Sequence, residues 1–300
     1  EELRAAGLRA VLCYELSDRN GADKAEAALR ENLDFIAYAA REQSDSLAAM
    51  FGLHAAFTLS DATLARCREL TPAGTGFHIH VAEGREDLEH SLAHYGMRVV
   101  TRLQRQGILG RRSIAAHCIH VDAAEMELLQ ESDTIVVHNP ESNMGNAVGC
   151  PPTMEQMARG ILVGLGTDGF TNDMLESLKA ANLLHKHALA DANAAWTEAP
   201  QMLFVNNREI AARFFRTPLG VLRPGAAADI VVCDYQPITP LDAGNLNAHI
   251  LFGLNGRSVV TTIAGGRVLM RDRELTQLDE AEIAARARER AAGLWQRINQ

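Results

Sequence analysis

Two textures alternate along the chain: short apolar runs that end on a polar or ionisable residue, and longer stretches with apolar positions at helical spacing. The run LRAVLCYEL at 8–16 predicts a buried strand, and SDRNGAD after it a loop. Positions 24–43 carry helical spacing, and 50–54 predicts a second strand that ends on His54. Ser60 is placed to cap a short helix over 60–70. A strand follows from Phe77 to about Ala82, then a helix over 87–105, broken by Gly107 and Gly110. Residues 113–118 predict the next strand, and Asp122 with Glu125 forms a capping box for a helix running to about Glu131. Strand 134–138 leads into the long loop NPESNMGNAVGCPP, placed to cover a site or to connect flexibly. A short helix from Met154, strand 161–166, the turn TDG and helices over 173–190 and 201–215 complete this rhythm. From Leu219 the texture changes to short β-branched runs at 230–232, 259–263 and 267–270, and a helix over 279–298 closes the sequence. The expected division is a partial barrel over 1–218, a small β unit over 219–274 and a C-terminal helix over 275–300.

Composition narrows the function classes. With 47% hydrophobic and 22% charged residues the chain can bury a large core, and its formal net charge of -9 argues against nucleic-acid binding and a basic membrane surface. No apolar run approaches bilayer length, and the charged stretch EELRAAGLRA does not read as a signal peptide. The five cysteines, Cys13, Cys67, Cys118, Cys150 and Cys233, lack C-x-x-C spacing and fit a reducing cytoplasm. Cys118 reads as a small buried core residue. The expected partner is a small-molecule substrate, with a homodimer as the assembly to look for.

Candidate chemistry concentrates at FHIHVAE, residues 77–83. In a strand, His78 and His80 face one side and Glu83 lies just past its end, so two imidazoles and a carboxylate converge. Imidazole binds zinc or iron, and a carboxylate beside it can move protons. An isolated H-x-H is also common on solvated strand edges. The metal reading gains weight from MFGLHA, SIAAHCIH, TIVVHNP and ILVGLGTDG, further apolar strands with ionisable ends, where a parallel barrel carries its catalytic groups. His90 and His94, four apart on one helix face among Glu86, Asp87 and Glu89, read as a solvated face. For His138 a satisfied rim histidine and a functional one are both open, and His120 reads as a satisfied rim residue ahead of a functional one. His185, His187 and His249 read as ordinary helix or loop residues with no role.

Taken together, GLHAAFTLS at 52–60, FHIHVAEG at 77–84, AAHCIH at 115–120, VVHNPESNM at 136–144, GLGTDG at 164–169 and LRPGAAADIVV at 222–232 resemble the amidohydrolase superfamily, in its branch of aminohydrolases and chlorohydrolases acting on nitrogen heterocycles. The resemblance implies an α/β fold, a (β/α)8 TIM-like barrel with a small β-sandwich, and one divalent metal ion, zinc or ferrous iron. It implies that His80 and Asp168 are metal ligands, Glu83 the proton-shuttling acid, His117 a histidine that contacts the activated water, and His54 a substrate-facing histidine. Asp168 could also take the water's proton, and His78 has no fixed role in the pattern. The implied activity is hydrolytic deamination of an amino-substituted ring, purine or pyrimidine. The alternatives are a chlorohydrolase or cyclic amidase using the same site, and a non-catalytic scaffold barrel.

The H-x-H that such proteins carry on the first barrel strand, supplying two metal ligands, is absent here. Six strands are countable where a closed barrel needs eight, so the sequence is expected to be the C-terminal part of a longer chain lacking at least two βα units, roughly 60 residues. His80 and Asp168 alone would hold a metal poorly, since stable sites generally use three or more protein ligands.

Overall fold

The computed structural model describes residues 2–298. Its main layer is parallel: β1 (Ala10–Leu12), β2 (Leu47–Ala49), β3 (Phe51–Ala55), β4 (Phe77–Val81), β5 (Ile114–His117), β6 (Ile135–His138) and β7 (Val163–Leu165). β1 pairs with β2, Leu16 bridges Leu53, and β3 to β7 pair in sequence order. Helices such as Ala22–Glu42, Asp61–Leu70 and Ala123–Glu131 make the crossovers that parallel strands require. All six expected strands are present in the expected order. Among the described residues β1 and β7 do not pair with each other, so the sheet is an open arc rather than a closed barrel.

The alternation in β4 is strict. Phe77, Ile79 and Val81 are buried, and His78 and His80 share the other, partly open face. Ser60 accepts from the Thr63 amide, and Asp122 and Glu125 form the reciprocal capping box. The first two strand segments are interrupted where the buried Asn32 side chain intrudes. Its amide oxygen accepts from the amides of Tyr14 and Gly52, both at 3.0 Å, and its nitrogen donates to the Tyr14 carbonyl at 2.8 Å. A Cβ at Gly52 would lie 2.4 Å from the Tyr14 oxygen, so the two backbones approach this closely only because position 52 is glycine.

Several elements depart from expectation. The helix expected over 87–105 is two, Arg85–Tyr95 and Val99–Arg105, because Gly96 turns left-handed at φ 64°. The loop expected after β6 contains a helix, Pro140–Gly145, started by proline at its first turn. The helix expected over 201–215 is split by a π turn, Met202–Asn206. That turn has a use: Asn206 donates to the Val163 carbonyl at 2.7 Å, and Asn207 exchanges bonds with Leu165 N and O at 3.0 and 2.9 Å. Side-chain amides thus satisfy backbone groups of β7 on the edge where no strand pairs with it among the described residues.

The expected β-sandwich portion is a single antiparallel sheet, ordered β11 (Glu274–Leu275), β10 (Arg267–Arg271), β9 (Val259–Ala264) and β8 (Ile230–Cys233). A helix not expected from the sequence, Leu246–Gly253, lies between β8 and β9, and Glu280–Ile298 is helical as expected. Among the described residues no helix is long and apolar enough to cross a membrane.

Candidate active site at the strand ends

The C-terminal ends of β3 to β7 carry His54, His80, His117, His138 and, just past β7, Asp168. Four non-glycine residues here adopt left-handed backbone: Ala82 (φ 46°), His117 (71°), Cys118 (49°) and Asp168 (52°). Such conformations cost about 1–3 kcal/mol each and persist where surrounding structure enforces them, often at functional sites.

His117 is the centre of the cluster. Its ring is buried, Nδ1 lies 2.8 Å from Asn143 Oδ1, and Nε2 has no hydrogen-bond partner. That free nitrogen is 3.7 Å from Glu83 Oε2 and 3.7 Å from Asp168 Oδ2. Three residues separated by up to 85 positions therefore meet at one point. Burial alone would raise the Asp168 pKa. Hydrogen bonds from Ser142 Oγ (2.6 Å) and the Gly169 amide (2.7 Å), with the His117 and His80 imidazoles nearby, instead hold it below the usual carboxylate value. Glu83 Oε1 accepts from Asn146 at 3.2 Å.

His80 Nδ1 donates to the His54 carbonyl at 2.5 Å, which leaves Nε2 as a lone pair. Its ring lies 5.7 Å from that of His117, nearly parallel, and 6.0 Å from that of His78. Burial pushes the His78 pKa down to about 4, with the imidazoles of His80 and His117 adding to the effect, so His78 is neutral near pH 7. His54 has both nitrogens engaged: Nδ1 with Thr58 Oγ1 at 2.9 Å, and Nε2 with the Arg19 guanidinium at 3.1 Å. Burial, then the Arg19 and His80 charges, lower its pKa against the opposing pull of Glu15.

A divalent ion has suitable donors here. His80 and His117 each present an uncommitted Nε2, His117 by an orphaned buried atom, beside an ionised Asp168. Glu15, His54 and His80 also bring ligand atoms within 4.8 Å of one another. That second grouping is the poorer cation site, because Arg19 places a positive charge against His54 Nε2.

Residues that sequence reasoning passed over hold this cluster. Ser142, Asn143 and Asn146 lie in and just after the helix Pro140–Gly145, and they contact Asp168, His117 and Glu83 in turn. Their i, i+1, i+4 spacing after Pro140 was the available signal. His185, given no role from the sequence, is buried with its ring 4.9 Å from that of His138, whose Nε2 is also without a partner.

The model for the amidohydrolase family matches residues 1–269. The chain belongs to the amidohydrolase family. It is 35% identical over 279 residues to a 5-methylthioadenosine/S-adenosylhomocysteine deaminase of Pelotomaculum thermopropionicum, covering 91% of this chain and 64% of that protein. To a 5'-deoxyadenosine deaminase of Methanosarcina mazei it is 33% identical over 303 residues, covering 99% and 69%. The chain thus spans about two thirds of the length of these relatives. Among solved structures, an adenosine deaminase from Xanthomonas campestris with bound zinc superposes with a TM-score of 0.83 at 24% identity, over 96% of this chain and 66% of that one. Atrazine chlorohydrolase TrzN from Arthrobacter aurescens, complexed with zinc, gives 0.77 at 19%, over 95% and 66%. Both structures share the amidohydrolase fold.

Proposed function

We propose that this amidohydrolase is a metal-dependent aminohydrolase that replaces the exocyclic amino group of an adenine-type ring with oxygen, consuming water and releasing ammonia. The observation that carries the reading is the partnerless His117 Nε2 flanked at 3.7 Å by two carboxylates from different strands. A scaffold has no physical need for such a cluster. The deaminase names of relatives at 33–35% identity support the adenine class. The arc of parallel strands over 1–218 is, on this reading, part of a (β/α)8 barrel, with 219–274 a small β domain and 275–300 an appended helix.

His80 and Asp168 would hold the ion, zinc or ferrous iron, with His117 beside them. A divalent ion there acidifies water and makes hydroxide accessible near neutral pH. The rest falls to the chain's own groups. Asp168, ionised and anchored by Ser142, accepts a proton from the attacking water. His117, with Nδ1–H donated to Asn143, keeps a lone pair at Nε2 that orients that water. Glu83, entering as the acid, protonates a ring nitrogen as the ring carbon is attacked, recovers a proton from the adduct's hydroxyl as C=O forms and passes it to the departing amine. The proton that Asp168 took from the water then restores Glu83 to its acid form, so C–NH2 becomes C=O and ammonia leaves. His54, fixed by Thr58 and Arg19, faces the substrate.

The test is a substrate panel on the full-length, zinc- or iron-loaded protein. Ammonia release from 5'-deoxyadenosine or methylthioadenosine, exceeding that from aminopyrimidines, is the expected result. Chloride release from chlorinated triazines without ammonia release from any purine would assign the site to the chlorohydrolases instead.

A further inference from the structure

The buried amide of Asn143 lies between two buried imidazoles from neighbouring strands. Its Oδ1 is 2.8 Å from His117 Nδ1, and its Nδ2 is 3.4 Å from His138 Nδ1. All three side chains are essentially inaccessible to solvent. In the short helix that carries Asn143, its N–H donates to the Asn139 carbonyl at the helix start and its carbonyl accepts from Val148 N at the helix end. Its neighbours Ser142 and Asn146 grip Asp168 and Glu83. The backbone that carries the amide therefore cannot shift without disturbing contacts to two carboxylates, and the amide itself is held by its bonds to the two imidazoles.

We infer that Asn143 is a positioning residue that selects the tautomers of both histidines. An amide oxygen only accepts and an amide nitrogen only donates. His117 must then carry its proton on Nδ1 and present a bare Nε2 toward Glu83 and Asp168. His138, accepting at Nδ1, must carry its proton on Nε2. Among the described residues Asn143 is the hydrogen-bond partner of His117 Nδ1, and without it a proton on Nε2 would be drawn toward the two carboxylates 3.7 Å away. That tautomer would no longer orient a water through its lone pair or offer a ligand to a cation. Asn143 acts through His117 and does not itself reach the reacting atoms. The kinetic consequence rests on the proposed deaminase reading, whereas the tautomer assignment does not.

The experiment compares wild type, Asn143→Ala and Asn143→Asp in the full-length protein, with 15N-labelled histidine. Ring-nitrogen shifts are expected to show His117 as the Nδ1–H form in wild type and in Asn143→Asp, which keeps an acceptor, and to lose that preference in Asn143→Ala. In Asn143→Asp the His138 proton is expected to move to Nδ1, because the amide donor is gone. For deamination, Asn143→Ala should lower kcat about 10–100-fold with little change in KM, and Asn143→Asp should recover part of it. Thermal unfolding of each variant separates misfolding from mispositioning, and Asn143→Asp still reports through His138 if the alanine variant does not fold. An Nε2–H His117 in wild type, or an unchanged His117 tautomer in Asn143→Ala, would overturn the inference. If wild type deaminates nothing while the tautomers behave as stated, the proposed function fails and the role of Asn143 stands.

Discussion

His185 shows how much a single buried imidazole can set the response to acid. Burial pushes its pKa down to about 4 from 6.5, against the pull of Glu198, and its Nδ1 is 3.3 Å from the Cys150 sulfur. Between these two values the unfolded chain binds a proton that the folded chain refuses. This contribution to stability is therefore fully present above about pH 6.5 and is lost as pH falls toward 4, an effect of about 3 kcal/mol. Asp87 works the other way. It accepts from the amides of Ala82 and Phe57, yet burial pushes its pKa up to about 6, so its contribution falls as pH rises from about 4 to 6. The two overlap in one melting curve, and a variant separates them. His185→Leu should flatten the acid limb of stability between pH 6.5 and 4 relative to wild type, measured by urea unfolding at a series of pH values. An unchanged limb would mean that His185 does not stay neutral in the folded protein.

At the scale of elements, much of the arrangement depends on side chains that take the place of backbone ladders. Asn32 satisfies four backbone groups of Tyr14 and Gly52 where the paired strands separate. Asn32→Leu, similar in volume, should leave buried amides and carbonyls unpaired and lower unfolding free energy by about 2–4 kcal/mol, with unchanged m-value in urea. The parallel strands themselves were legible in the sequence, because an apolar run ending on a histidine or aspartate is a local pattern. So were the Ser60 and Asp122 caps, whose chemistry lies within three residues. The helix Pro140–Gly145 was not, since its Asn, Gly and Pro content reads as loop and its stability comes from bonds to His117, Asp168 and Ser177. The π turn at Met202–Asn206 was equally hidden: it exists to serve β7, some 40 residues earlier in the chain. At the site, His80, Glu83, His117 and Asp168 could be picked out because they sit at strand ends. Ser142, Asn143 and Asn146 could not be assigned partners until the strands were placed side by side.

For the whole molecule, the fold's contribution is to aim separate strand ends at one place. Glu83, His117 and Asp168 come from three different strand ends of the parallel arc, and each carboxylate lies 3.7 Å from His117 Nε2. On the proposed reading this cluster moves protons for a hydrolytic deamination, and Glu83 is the group whose loss isolates that role. Glu83→Gln keeps the shape and the Asn146 contact but removes the acid. The most direct measurement is ammonia release from 5'-deoxyadenosine by full-length wild type and Glu83→Gln at matched zinc content. The expected result is a fall in kcat of about 10²–10⁴-fold with metal content and thermal midpoint unchanged. Wild-type turnover in the Glu83→Gln protein would mean that Glu83 does not carry the proton.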